Sequence, residues 1–373
     1  MADKKIDVYI DGHIVGTLAE TPRKLVAFQY SDEWLKTGFE ISPFSLPLEP
    51  GVFVPKDKNL ETFRGLFGVF ADSLPDAWGE LLLDRYLESK GINPYDISVL
   101  DRLAYVGKAG MGALEYYPSK VADFSLAGID YDTIASECDK LLSSQPSGQL
   151  DLLYKLGGSS GGTRPKILIS DEGIDWIVKF PSHTDPMISG KREYDYSLCA
   201  KKCGIPMTRT ELVKSRVCDG YFKTERFDRC DKKKVFTATF SGILEADFRV
   251  PSCDYATYMK LIQILTHDNR EDKERMYKQM CFNVLGHNRD DHTKNFSFVY
   301  TEQSGWRLSP AYDITYSSTY WGEHTTAVNG KGKDISVDDL VTVGRGAGLS
   351  KEYCISVYEE VRSAVTADLG EYL

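Results

Sequence analysis

No uninterrupted apolar run of about 18 residues occurs in the chain, which excludes a membrane-spanning helix. The first residues, M-A-D-K-K-I-D-V-Y-I, carry charge but no apolar stretch of the kind that marks a secretory leader. Cysteine is sparse, at 8 of 373 residues, and no C-x-x-C pair is present, so a disulfide framework is excluded and reduced thiols in a cytosolic protein are expected. Cys199 and Cys203, four apart, can share a helix face as zinc ligands or as two small core residues. Basic charge is also short. With 45 Lys plus Arg against 55 Asp plus Glu the formal net charge is −10, a field that repels phosphate backbones and argues against direct DNA binding. A local basic pocket for a nucleotide survives such an average. There is no internal repeat or low-complexity tract, and 15 Pro and 31 Gly are too few for a collagen-like or disordered chain. What is present, 42% apolar and 27% charged residues, describes a folded chain long enough for two or three packed lobes.

Residues 6 to 17 read as a hairpin about Asp11-Gly12, a dipeptide suited to the positive φ of a tight turn. Residues 43 to 54 are Pro-rich and irregular. Ser73-Leu-Pro-Asp76 reads as a capping box opening a helix whose apolar positions are Ala77, Trp78, Leu81, Leu82 and Tyr86. Residues 103 to 117, with three glycines among apolar residues, read as strand and turn. Residues 124 to 156 mix helical stretches without a chemical signal. A helix is expected over 189 to 203, strands around 209 to 228, and a mainly helical remainder.

The run Gly157-Gly-Ser-Ser-Gly-Gly-Thr-Arg-Pro-Lys166 puts four glycines in six positions, which lets backbone N–H groups converge on an anion or else makes a plain flexible linker. It lacks the Lys-Ser/Thr of a Walker A loop, because Thr163 and Arg164 follow Gly162. Ser160, Gly161, Gly162, Thr163 and Arg164 are the candidate phosphate-cradling positions. Two β-rich runs follow, joined at Asp171-Glu-Gly173, and folding there sets Lys179 opposite Lys166. Val178 and Phe180 then lie on the other sheet face, and a lysine in that setting calls for an anionic partner, unless it is an edge lysine in solvent. Glu193, near the start of the next helix, could pair with Lys179 and orient it, or simply favour the helix's first turn.

The sharpest signal is His287-Asn-Arg-Asp290-Asp-His-Thr-Lys-Asn295-Phe296. Asp290 and Asn295 stand at the interval of the kinase catalytic loop, in which the aspartate takes the acceptor hydroxyl proton and the asparagine holds a metal ion. A second hairpin about Gln303-Ser-Gly305 would bring Asn295 back beside Asp313. Two such oxygen donors suffice for Mg²⁺ with phosphates and water completing its shell.

Taken together these segments resemble the HipA family of serine/threonine kinases, the toxins of bacterial toxin–antitoxin pairs. The likeness runs through Phe67-Gly-Val-Phe-Ala-Asp-Ser-Leu-Pro-Asp-Ala-Trp-Gly79, Thr224-Glu-Arg-Phe-Asp-Arg229, Asp290 to Phe296, Tyr312-Asp-Ile and Ala327-Val-Asn-Gly-Lys331. The resemblance implies an α+β, bilobal protein-kinase-like fold: residues 1–120 a small N-terminal α/β subdomain, 121–230 the nucleotide-binding part with glycine loop and hinge, 231–373 a helical lobe with the catalytic loop. It implies Asp290 as catalytic base, Asn295 and Asp313 as metal ligands, Lys179 as the phosphate-binding lysine, and Lys166 closing the glycine loop. Glu225, Arg226 and Phe227 would form the adenine-facing hinge, Asp228 would reach the ribose, and His292, Lys294 and Tyr312 would lie against the nucleotide. A serine at the start of the loop, best matched by Ser159 with Ser160 adjacent, would be autophosphorylated. The implied cofactors are ATP and Mg²⁺. The implied partners are a helix-turn-helix antitoxin of the HipB type, through which alone DNA is contacted, and a protein substrate such as an aminoacyl-tRNA synthetase. No membrane partner is expected.

Two other readings use the same residues. A small-molecule kinase of the aminoglycoside type would need an acidic acceptor pocket, for which Asp338-Asp339 and Glu359-Glu360 are candidates. A catalytically idle kinase-fold binding module would not require the base Asp290.

Overall fold

The computed structural model describes residues 4–120 and 130–373. The chain packs as two units, one of Met1–Met187, Val213–Ala238 and Gly242–Glu245, the other of Ile188–Leu212, Thr239–Ser241 and Ala246–Leu373. The boundary expected between 120 and 121 borders residues 121–129, which lie outside the described residues.

In the first unit Lys5–Ile10 and His13–Glu20 pair antiparallel, and the turn between them carries positive φ at both Asp11 and Gly12, as the dipeptide predicts. Val26–Tyr30 and Glu115–Tyr117 complete a four-stranded sheet in the order Val26–Tyr30, His13–Glu20, Lys5–Ile10, Glu115–Tyr117. Residues 43–54 form no strand or helix, in line with their prolines. The helix expected after Ser73 runs over Ala77–Ser89, but its cap is Asp76, three residues later than the capping-box reading placed it. Ser73 is instead buried, where its Oγ accepts a hydrogen bond from the buried Tyr116 hydroxyl at 2.7 Å. Residues 103–106, read as strand, belong to a helix over Val99–Val106, because Ser98 and Asp101 form the capping box that starts it.

A second sheet holds Lys166–Asp171, Ile174–Lys179 and Tyr221–Glu225 side by side, all antiparallel. Glu172 and Gly173 supply the positive φ of the turn, and the register sets Lys166 against Lys179. Alternation along Ile174–Lys179 then buries Trp176 and Val178. Trp78 and Leu82 from the helix Ala77–Ser89 share one apolar core with Ile167, Val178, Phe180 and Tyr221 and with Ile134, Cys138, Leu141, Leu153 and Leu156 of the helices Tyr131–Leu142 and Leu150–Gly157. Each such side chain contributes about 1.5–3 kcal/mol by leaving water, so the N-terminal helix and the lysine strands are held by the same cooperative cluster.

The second unit is mainly helical. Ser189–Lys202, Tyr255–Leu265, Arg270–Leu285, Val337–Gly346 and Lys351–Leu369 are its long helices. Asp254, Asn269, Ser336 and Ser350 accept hydrogen bonds from first-turn N–H groups of the last four, so those starts are written locally. Cys199 and Cys203 are both buried at the end of the first. A hairpin of Ser297–Thr301 and Gly305–Leu308 turns where the sequence predicts. Phe240, Tyr258, Phe296 and Phe298 form an aromatic cluster beneath it, with Phe240 stacked on Phe298 at 4.7 Å. No described helix is long and apolar enough to cross a membrane.

Candidate active site

In the first unit the glycine loop leaves the helix Leu150–Gly157 and turns back into Lys166–Asp171. Ser160 is buried and donates its hydroxyl to Gly157 O at 2.6 Å, while Ser159, partly exposed, donates to Ala109 O at 3.0 Å. Gly162 adopts φ +86°, which a side chain would strain. Its N–H, expected to face a phosphate, is donated to the Asp76 carboxylate at 2.8 Å. Thr163 is exposed and Arg164 pairs with Asp185 at 3.2 Å. Lys166 is 6% exposed and donates to Gly161 O at 2.6 Å, closing the loop on itself. Lys179, across the ladder from it, has its ammonium 5.7 Å from the centre of the Phe222 ring.

The hinge-like segment after Tyr221–Glu225 departs from expectation at Asp228. That side chain, assigned to a ribose, is fully buried and accepts from Arg226 at 2.7 and 2.9 Å, from Arg229 at 2.8 Å and from Gly112 N at 2.7 Å. Burial alone would raise the Asp228 carboxyl, but Arg226 and Arg229 outweigh it and hold it below the usual carboxylate range. Arg226, buried with it, also donates to Gly110 O at 3.1 Å. Asp228 and Arg226 therefore brace the hinge against the segment 110–112. Glu225 and Phe227 stay partly exposed. The bracing role of Gly110 and Gly112 escaped sequence reasoning, although the glycine spacing there was its signal.

In the second unit the catalytic-type loop separates two adjacent aspartates. The Asp290 side chain is 61% exposed, whereas Asp291 is fully buried. Asp291 accepts from the Tyr255 hydroxyl at 2.9 Å and from Thr326 N at 3.0 Å, and it meets His324 Nδ1 at 3.0 Å. Asn283 donates to the same Tyr255 hydroxyl and accepts from Asn288, which extends the network beneath the loop. None of Asp291, Tyr255, His324, Asn283 and Asn288 stood out as a site residue in the sequence; the Asp-Asp doublet was the available signal. Asn295 donates its amide to Asp290 O at 2.6 Å, which ties the loop across its ends. His292 Nε2 stands 3.8 Å from the Asp290 carboxylate, and the His292 ring lies edge-on to Phe248 at 5.3 Å. The Lys294 ammonium sits 4.5 Å from the centre of the same Phe248 ring. Tyr312 donates to Lys294 O at 2.7 Å, and its oxygen is 2.5 Å from Ser297 Oγ, so the segment before Asp313 is stitched to the segment around Asn295. Asp313 itself adopts φ +52°, outside the ordinary range for a residue with a side chain. Glu193 is buried in the helix Ser189–Lys202 of this unit.

In each of the two acidic pairs considered for an acceptor pocket, one member is engaged locally. Asp339 caps its own helix with Ser336, and Lys331 at 2.8 Å, with Asn329 at 3.0 Å, holds its carboxyl well below the usual range. Glu359 pairs with Arg362 at 2.6 Å.

A glycine loop closed by Lys166, with Lys179 across the ladder, and an exposed aspartate on a loop tied by an asparagine are features of the kind that kinases use. Residues 6–117 match the family model for the HipA N-terminal domain and residues 158–369 that for the HipA-like C-terminal domain. The chain belongs to the HipA family. The candidate kinase Y4dM of Sinorhizobium fredii is 25% identical over 380 residues, covering 95% of this chain and 88% of that protein. A second candidate kinase of that organism, Y4mE, is 25% identical over 354 residues, covering 86% and 79%. The Shewanella oneidensis HipA chain, solved with HipB and its operator DNA, superposes with a TM-score of 0.71 over 98% of this chain and 90% of that one at 21% identity. The mixed helix and sheet fold is that of HipA, and the relatives mark a HipA-type kinase.

Proposed function

We propose that this chain is an ATP- and Mg²⁺-dependent protein kinase that phosphorylates serine or threonine hydroxyls. The observation that carries the reading is the contrast within one dipeptide: Asp291 is locked into a buried network while Asp290 next to it is presented to solvent on a loop tied by Asn295. A general base needs this combination of a fixed backbone and a free carboxylate. Asp290 accepts the proton of the acceptor hydroxyl. Lys179 and the remaining N–H groups of the glycine loop hold the phosphates by charge-assisted hydrogen bonds. Asn295, whose amide N–H is directed to Asp290 O, keeps its carbonyl oxygen as a hard donor and would hold the cation with Asp313. Mg²⁺, when bound, neutralises phosphate charge. Glu225 and Phe227 offer backbone groups to adenine.

Ser159 is the better acceptor for autophosphorylation, since Ser160 is buried. A phosphoryl group on Ser159 ends its donation to Ala109 O and adds negative charge to the glycine loop. The Shewanella HipA is solved with HipB and operator DNA. By analogy a helix-turn-helix antitoxin would bind this chain and make the DNA contacts that a net charge of −10 disfavours. The substrate is a protein, with an aminoacyl-tRNA synthetase as the first to assay.

The test is transfer of labelled phosphate from ATP to a lysate protein by wild type and Asp290→Asn. Transfer should fall by about 10²–10⁴-fold with ATP affinity retained. Undiminished transfer in the variant removes Asp290 from the mechanism.

A further inference from the structure

The helix Ala77–Ser89 begins at Asp76, whose backbone is extended as an N-cap should be, yet its side chain caps nothing in its own helix. An aspartate in that place ordinarily accepts from the second or third helical N–H. Here the carboxylate instead reaches a residue 86 positions away in sequence and accepts the Gly162 N–H at 2.8 Å. Asp76 N donates to Ser160 O and Trp78 N donates to Gly162 O, each at 3.4 Å. Trp78 Nε1 donates to Lys166 O at 3.0 Å. Residues 76 to 78 thus bond to both arms of the glycine loop, in both donor and acceptor senses.

The approach is close enough to exclude side chains. A Cβ at Gly79 would stand 2.8 Å from Ser160 O and 3.2 Å from Gly157 O, and one at Gly157 would stand 2.7 Å from Lys166 O. Contacts this short identify a built interface within the unit.

We propose that Asp76 is a positioning residue for the glycine loop: its carboxylate fixes Gly162 at positive φ and so sets the shape in which the loop meets the triphosphate. This rests on the kinase reading and adds a function to the N-terminal domain, which supplies a structural wall of the nucleotide site. The opposite role, a carboxylate occupying the place of a phosphate and competing with ATP, would use the same hydrogen bond but reverse the effect of removing it.

The test uses the full chain with Asp76→Ala, Asp76→Asn and Gly79→Ala. Asp76→Ala should speed amide exchange at Ser160, Gly161 and Gly162 on the order of tenfold while exchange in the helix Arg270–Leu285 stays unchanged. KM for ATP should rise at least about fivefold with kcat changed less than about twofold, and Asp76→Asn, which keeps an acceptor oxygen, should recover part of both effects. Gly79→Ala, which displaces the loop without changing charge, should move KM in the same direction. A KM that falls in Asp76→Ala overturns the proposal in favour of competition. Unchanged loop exchange in a folded variant overturns it outright. If Asp76→Ala does not fold, Asp76→Asn carries the exchange comparison. If wild type transfers no phosphate, the kinase reading fails, while loop exchange still decides whether Asp76 holds the loop.

Discussion

The glycine loop and the aspartate loop are held by opposite means. Around 157–162 the bonds are mostly backbone to backbone, or short side chain to backbone, and several of them reach into residues 76–78 and 109. Around 290–295 a buried side-chain network does the holding, with Asp291 bonded to Tyr255, His324 and Thr326. A loop tied by backbone bonds can change shape by losing them one at a time. A loop seated on a buried carboxylate cannot move without leaving polar groups unpaired in the interior, which costs far more. The glycine loop is thus the more adjustable of the two, and the aspartate loop the more rigid.

Substitutions can break that contrast, starting with the largest effect. Asp291→Ala removes an acceptor shared by several buried donors and should cost about 3 kcal/mol, read as a drop in urea midpoint with unchanged slope. Asp290→Asn, one residue away and exposed, should leave the midpoint unmoved while abolishing transfer; equal destabilisation by both would erase the distinction between base and anchor. Asp228→Asn leaves Arg226 and Arg229 without their anion and should cost about 3 kcal/mol at pH 7. The sign with pH follows from its depressed carboxyl. Its stabilisation is complete above the unfolded value near 3.9 and is lost as pH falls through the lower folded value. Acid unfolding of Asp228→Asn should therefore be flatter than that of wild type below about pH 4, and identical curves would mean the buried pair contributes no pH dependence. Ser160→Ala, in the glycine loop, deletes one bond to Gly157 O and should cost about 1 kcal/mol. The smallest change is expected for Ser159→Ala, under about 1 kcal/mol, together with loss of phosphate at that position by mass spectrometry.

Local chemistry makes parts of this arrangement readable in the sequence. The turn at Glu172-Gly173 sets the Lys166 and Lys179 register through φ preferences and alternation alone, and the helix over Ser189–Lys202 follows from its periodicity. Helix starts were harder, because Ser73 and Asp76 are both good caps and only the packing of Tyr116 onto Ser73 decides between them. Contacts between remote segments were not readable. Gly112 with Asp228, 116 positions apart, and Asp76 with Gly162 leave no periodic trace. Nor does an Asp-Asp doublet say which member is buried, since that depends on Tyr255 and His324 arriving from elsewhere in the chain.

The apolar cluster that joins Trp78 and Leu82 to Ile167, Val178 and Phe180 has a practical corollary for anyone dissecting the molecule. Residues from both matched stretches, 6–117 and 158–369, thus share one oily interior within the first unit. A fragment cut to begin at residue 158 would bare the underside of its lysine strands to water. Expressed by itself, it should aggregate or misfold, and co-expression of the missing N-terminal piece would be the rational rescue.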